Sequence, residues 1–354
     1  MKKHNFSAGP SILPDSVMQQ ASAAVQELDG IGLSLIEISH RSKEFIAIMD
    51  RAQKLALELT GLEGKGYQAL FLQGGASTQF LMTSMNLMKS KAGYINTGAW
   101  SDKAIKEAKR YGEVIEIASS KEKNFNYIPK GAEIPADLDY LHLTTNNTIF
   151  GTQFHTLPDT NVPLIADMSS DIFSRELDYA AFDLFYAGAQ KNMGPAGTTL
   201  VIVKDSLLEK MNDNVPSMMS YAVHAAKGSM FNTPPVFPVY TSMLTLEWLK
   251  EKGGIKAIQK HNEAKAKLVY DEIDRNIAFI GFAAKEDRSF MNATFNLADG
   301  VDGAAFDALW TASDISGIKG HRDVGGYRAS IYNALPLKSV QLLVDIMQQF
   351  EKTI

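Results

Sequence analysis

The 354-residue chain carries 45% hydrophobic and 21% charged residues, no cysteine, and a formal net charge of −5 at pH 7. Its length predicts about two domains, and its composition a folded globular chain rather than a disordered one. The missing thiols exclude disulfides, thiolate metal sites and a cysteine nucleophile, and the negative balance excludes a global basic field for nucleic acid or anionic membrane.

Residues 1–14 have no apolar core of signal-peptide length, and no run approaches the roughly 18 apolar residues of a membrane span, so the expected compartment is the cytoplasm. The first fifteen residues, rich in Pro and Gly, can pack against either half of the chain. From Tyr67 onward short apolar runs alternate with amphipathic stretches: Ala69–Leu72 before Phe80–Met88, Gly93–Ile95 before Ala104–Tyr111, then Leu138–Leu143, Val162–Ala166, Leu184–Ala187 and Thr199–Val203. This rhythm predicts an α/β fold with a mainly parallel sheet. Thr241–Lys252 and Ile255–Asn276 have helical periodicity, with a break at Gly253-Gly254. Met291–Leu297 and Tyr327–Tyr332 alternate like strands, and Val340–Phe350 closes as a helix. The expected division is a large domain over 16–258 and a smaller α+β domain over 1–15 and 259–354.

Ligands of open parallel sheets bind beyond the carboxyl ends of the strands, so the residues that follow each apolar run are the candidates for chemistry. After Ala69–Leu72 comes Gln73-Gly74-Gly75-Ala76-Ser77-Thr78, a glycine turn opening a helix, which is either an anion cradle or a plain turn with Ser77 or Thr78 as N-cap. After Gly93–Ile95, Trp100 offers a ring for an aromatic ligand, though a lone tryptophan is more often core. Thr144-Thr145-Asn146-Asn147-Thr148 is a run of hydroxyls and amides. Asp167 ends an apolar run, a costly place for a carboxylate that lacks a cationic or N–H partner. Lys191 follows Leu184–Ala187 among small residues, in a loop whose apolar surroundings would lower its amine pKa, as a Schiff-base nucleophile requires. Together the set supplies a phosphate cradle, a stacking ring, a hydroxyl, a carboxylate for a pyridinium nitrogen and a lysine for an aldehyde.

Among the basic residues, Arg41, Arg322 and Arg328 read either as surface ion-pair partners or as forks for carboxylate and phosphate. His40-Arg41 follows an apolar segment, and His321-Arg322 and Arg328 stand beside glycines that permit close approach. His4, His142, His155, His224 and His261 have no metal-ligand spacing, and no metal is expected.

Five blocks are distinctive: Asn5-Phe6-Ser7-Ala8-Gly9-Pro10, Glu37-Ile38-Ser39-His40-Arg41-Ser42-Lys43-Glu44-Phe45, Tyr186-Ala187-Gly188-Ala189-Gln190-Lys191-Asn192, Gly228-Ser229-Met230-Phe231-Asn232-Thr233-Pro234-Pro235, and Lys319 through Asn333. On them the chain resembles, nearly end to end, the class V pyridoxal-phosphate aminotransferases of fold type I. The resemblance implies pyridoxal 5'-phosphate as cofactor, with Lys191 the Schiff-base lysine, Asp167 the pyridinium partner and Trp100 the stacking ring. It makes Thr148 a cofactor contact and Ala76, Ser77 and Gln190 phosphate-binding positions. Asn232 and Thr233 would reach the phosphate from a neighbouring subunit, which implies a homodimer with shared sites. His40, Arg41, His321 and Arg322 would lie near a substrate phosphate and Arg328 at the α-carboxylate. One departure is Ser77, where some family members carry arginine. The implied reaction is a reversible transamination between L-glutamate and a phosphorylated 2-oxo acid, 3-phosphooxypyruvate, with a four-carbon phosphooxy analogue also accepted. The absence of cysteine removes a desulfurase; an alanine–glyoxylate type of activity and a noncatalytic phosphate-binding α/β protein stay open.

Overall fold

The structure is a computed structural model and describes residues 2–322 and 324–354. Among these residues the strands are, in chain order, β1 (His4–Asn5), β2 (Tyr67–Leu72), β3 (Lys91–Asn96), β4 (Glu113–Ser119), β5 (Leu141–Thr144), β6 (Leu164–Asp167), β7 (Leu184–Gly188), β8 (Thr199–Lys204), β9 (Phe279–Gly281), β10 (Asn292–Leu297), β11 (Ile315–Ser316) and β12 (Tyr327–Ser330). Seven of them form one sheet in the order β2-β8-β7-β6-β5-β3-β4. The run from β7 to β4 is parallel throughout, and β8 is antiparallel to both of its neighbours. The fold is the expected α/β type with a mostly parallel sheet.

Strands such as Leu184–Gly188 are buried at every position because both faces of the sheet are covered. Alternation with period two then sorts the side chains. Phe185, Ala187, Leu141, Leu143, Leu200 and Ile202 enter a core beneath the helices Asp15–Gln26, Lys43–Thr60 and Val236–Glu251. Leu184, Tyr186, Tyr140, Ile165, Val201 and Val203 point the other way, beneath Gly75–Leu87 and Ala99–Ala108. A further core is built from the second half of helix Gly254–Arg275, the sheet β12-β10-β9 and helix Leu337–Glu351. Phe6 is wholly buried in that core, and β1 pairs in parallel with β11, so the first residues are tied to elements three hundred positions later.

The reversal at β8 sets the place of the candidate lysine. Only residues 189–198 separate β7 from β8, too few for the crossover of a dozen or more residues that a parallel return needs. The chain therefore turns back at the sheet edge, and Lys191 sits in the bend.

The elements differ from expectation in a few places. The sequence pattern assigned neither the helices Asp15–Gln26 and Lys43–Thr60 nor the edge strand β4. Lys191 lies in a single helical turn, Ala189–Asn192, rather than in a loop, and Trp100 in the first turn of helix Ala99–Ala108. No described helix is long and apolar enough to cross a membrane.

Candidate active site

Register brings the strand ends to one line. Leu72 and Gly188 both face Thr199, while Asp167 faces Tyr186 on one side and Thr144 on the other. The groups that follow these residues, from the Gly74 turn to Lys191, consequently share one edge of the sheet.

At the β2 end, Gly74 holds φ 94° and Gly75 φ 67°, backbone that L-residues other than glycine rarely adopt. A Cβ on Gly74 would lie 2.0 Å from Thr78 Oγ1. The helix Gly75–Leu87 starts there with no side-chain cap, since the Thr78 hydroxyl donates back to the Gly74 carbonyl at 3.0 Å. Neither Ser77 nor Thr78 is therefore an N-cap. The first N–H groups of this helix, at Gly75, Ala76 and Ser77, stay available to an anion.

At the β6 end, Asp167 is 4% exposed. The Ser169 N–H donates to its Oδ1 at 2.9 Å, and the Ser169 side chain also bonds the carboxylate. Burial raises its carboxyl above the ordinary aspartate range, and the charge of Lys191 opposes that rise. Next to it, the buried carboxylate of Asp171 accepts from the Thr145 hydroxyl, from Gln153 Nε2 at 3.1 Å and from Arg175 Nη2 at 3.4 Å. Thr145 in turn donates its N–H to the Asp167 carbonyl at 3.0 Å.

At the β7 end, Lys191 Nζ donates to Thr148 Oγ1 at 2.6 Å and lies 5.4 Å from the Trp100 ring centroid. Burial pulls its amine down to about 8 against the contrary pull of Asp167, and the cationic Arg328 assists. Arg328, on β12, donates from Nη1 to the Thr148 carbonyl at 3.3 Å. Thr148 thus joins the lysine, which follows a strand of the seven-stranded sheet, to the arginine on the three-stranded one. Arg328 Nε is buried with no hydrogen-bond partner among the described residues, and so is Trp100 Nε1. The Gln190 carbonyl accepts the Ser11 N–H at 2.9 Å, the Ser11 hydroxyl bonds the Lys191 carbonyl, and Gly9 leaves room for the lysine stem, where a Cβ would come within 3.1 Å of Lys191 Cγ.

The remaining candidates lie further out. Asn232 Nδ2 donates to Gln73 Oε1 at 3.0 Å, and Gln73 Nε2 donates to the Thr233 carbonyl at 3.0 Å, which holds this pair beside the glycine turn. His321 and Arg322 sit on the turn before β12, where the His321 carbonyl accepts the N–H groups of Val324 and Gly325 at 2.9 and 2.8 Å. Val324 packs on the cluster of Phe125, Ile149 and Phe150 that also carries Trp100. His40 and the exposed Arg41 precede helix Lys43–Thr60, which Ser42 caps by accepting the Phe45 N–H. No hydrogen bond or ion pair among the described residues joins either of them to Lys191, Asp167 or Arg328.

The donor set fits a phosphorylated pyridine aldehyde: an uncapped helix start, a buried carboxylate, a ring, a hydroxyl and a lysine of lowered pKa share one edge. No group of three or more histidine, aspartate or glutamate side chains among the described residues is arranged to hold a metal ion.

The family model for class-V aminotransferases matches residues 3–343. The chain is 62% identical to a phosphoserine aminotransferase of Flavobacterium johnsoniae, with 100% of each chain covered. Among solved structures, one of a phosphoserine aminotransferase studied for radiation damage of its Schiff base superposes with a TM-score of 0.97 at 45% identity, covering 100% of both chains. A phosphoserine aminotransferase from Trichomonas vaginalis with pyridoxal phosphate bound superposes with a TM-score of 0.92 at 35% identity, covering 98% of this chain and 100% of that one.

Proposed function

The chain belongs to the class-V aminotransferases, and we propose that it transfers the amino group of L-glutamate to 3-phosphooxypyruvate, giving O-phospho-L-serine and 2-oxoglutarate. The observation that carries this reading is the convergence of Lys191, Thr148 and Asp167 at one sheet edge, with Arg328 reaching Thr148 from β12. Pyridoxal phosphate, when bound, supplies the electron sink for the pair released as the substrate Cα–H bond breaks. Every other task falls to the chain.

Lys191 would hold the aldehyde of the bound cofactor, and its amine, lowered by burial to about 8, would take the substrate Cα proton on Nζ and return it. Asp167 would hold a proton on the pyridine nitrogen, Trp100 would cover the ring, Thr148 would bond the phenolic oxygen, and Ala76, Ser77 and Gln190 would hold the phosphate. Arg328 takes the α-carboxylate, with its orphaned Nε available for a second bond. His40, Arg41, His321 and Arg322 select the phosphate of the substrate. Asn232 and Thr233 complete the cradle of a second copy, so the working unit is a homodimer. The four-carbon phosphooxy homologue fits the same recognition scheme.

The test is a single turnover of the yellow protein with candidate amino acids, followed by cofactor absorbance. Phosphoserine and glutamate should convert the cofactor far faster than serine or alanine. If phosphoserine reacts no better than serine, the specificity fails; if Lys191→Ala still holds a borohydride-sensitive chromophore, the anchor fails.

A further inference from the structure

Three asparagines from three separate parts of the chain converge on the turn that follows Asp167. Asn192, immediately after Lys191, donates from Nδ2 to the Ile172 carbonyl at 2.6 Å. Asn333, five residues after Arg328, donates from Nδ2 to the Phe173 carbonyl at 3.0 Å. Asn262, on helix Gly254–Arg275, donates from Nδ2 to the Ser174 carbonyl at 2.9 Å. The receiving carbonyls are consecutive, and Phe173 stands at φ 57°, a conformation that a non-glycine residue keeps only when its surroundings enforce it.

The asparagines also bind one another. The Asn333 N–H donates to Asn192 Oδ1 at 3.0 Å, and Asn262 Nδ2 also reaches Asn333 Oδ1 at 2.8 Å. One turn further along the same helix, Lys265 is wholly buried, and its Nζ donates to the carbonyls of Ile331 and Tyr332 at 2.8 and 2.6 Å, with no carboxylate among its bonded partners. The Tyr332 hydroxyl closes the circuit by donating to the Ala8 carbonyl at 2.7 Å, beside the glycine that packs on the Lys191 stem.

We propose that Asn333 is a positioning residue for the amino-transfer reaction: with Lys265 behind it, it holds Arg328 in register with Lys191 and Asp167. The inference rests on the roles proposed above for those three residues. Buried polar groups that bond only when three chain segments are correctly placed leave unpaired donors and acceptors if any segment slips. Misplacement of a carboxylate clamp by an ångström is enough to cost up to about 100-fold in a reaction that needs an aligned Cα–H bond. Among the described residues neither Asn333 nor Lys265 bonds Ala76, Ser77 or Gln190, so cofactor retention and substrate alignment separate.

The experiment compares Asn333→Asp, which keeps the shape but removes the donor to Phe173, with Asn333→Ser and Lys265→Met in the holoenzyme. Three quantities are read: cofactor per chain, the pH midpoint of the visible absorbance, and KM against kcat for L-glutamate. Asn333→Asp and Lys265→Met should retain one cofactor per chain, shift the absorbance midpoint, and raise the glutamate KM by about tenfold or more. Asn333→Ser should fall between them and the parent. A purely structural role would lower thermal stability and leave the midpoint and KM of the folded, loaded protein at parental values, which overturns the proposal. If Asn333→Asp gives no folded protein, Lys265→Met decides by the same readouts. The controls Lys191→Ala and Arg328→Ala are measured first: loss of the chromophore in one and of glutamate affinity in the other keeps the site assignment standing whatever Asn333 shows.

Discussion

Lys191 has an amine placed near neutrality by burial, with Asp167 working in the opposite direction. Only the neutral amine attacks an aldehyde. Capture of pyridoxal phosphate by the cofactor-free protein should therefore speed up as pH rises and level off above a midpoint near 8. Asp167→Asn removes the charge that holds the lysine protonated, so its midpoint should lie lower. Stopped-flow absorbance measures both, and a rate that is flat between about pH 7 and pH 9 would show that the lysine is not titrating in that window. The same residue shows what sequence reading can reach. A lysine at the end of an apolar run is unremarkable alone, and it stood out because Asp167 and Trp100 occupied equivalent strand ends. Asn192, Asn262 and Asn333 gave no comparable signal, since asparagine is common in turns and the partners of all three are mainly backbone carbonyls whose positions depend on the folded chain.

At the scale of elements, the start of helix Gly75–Leu87 carries the most demanding geometry. Gly74→Ala forces a Cβ against the Thr78 hydroxyl at positive φ, so the first turn must shift. Its dissociation constant for pyridoxal phosphate should rise by about tenfold or more, alongside a loss of stability of roughly 1–2 kcal/mol. The comparison is Gly61→Ala, at the C-terminal cap of helix Lys43–Thr60, where φ is also positive, 68°, but nothing lies within 4 Å of the new Cβ. That change should reduce stability by a similar amount and leave cofactor affinity alone; equal loss of affinity in both would contradict an anion site at Gly74. Central strands were legible because burial on both faces makes them continuous apolar runs. β4 was not, because it is an edge strand in which no residue is fully buried and charged residues interrupt the pattern. Helix Lys43–Thr60 is long and amphipathic, but its first residues drew notice only as part of a distinctive block, not as a helix.

For the whole molecule, the glycine turn and Lys191 follow strands of the seven-stranded sheet and Arg328 lies on the three-stranded one, while Asn232 and Thr233 lie beside Gln73 at the surface. Large apolar side chains are also exposed along one segment, among them Leu33 at 51% and Ile36 at 63%, the kind of surface that a subunit contact covers. If two copies share their sites, two inactive variants can complement each other. Mixing Lys191→Ala with a combined Asn232→Ala and Thr233→Ala variant, after dissociation and reassembly, should restore about a quarter of parental activity, because half of randomly paired dimers have one intact site. No recovery from a mixture that demonstrably exchanges subunits would place both residues in the site of their own chain. A last consequence follows from the union of the chain's two ends. Residues 4–11 brace the Lys191 turn, yet β1 has its partner in β11, and the Ala8 carbonyl meets a tyrosine 324 positions away. During synthesis on the ribosome that brace has nothing to dock on until residues 315–332 have emerged. The brace on the lysine turn can therefore be completed only after β11 and Tyr332 have emerged, so nascent chains halted before residue 315 should emerge without a chromophore.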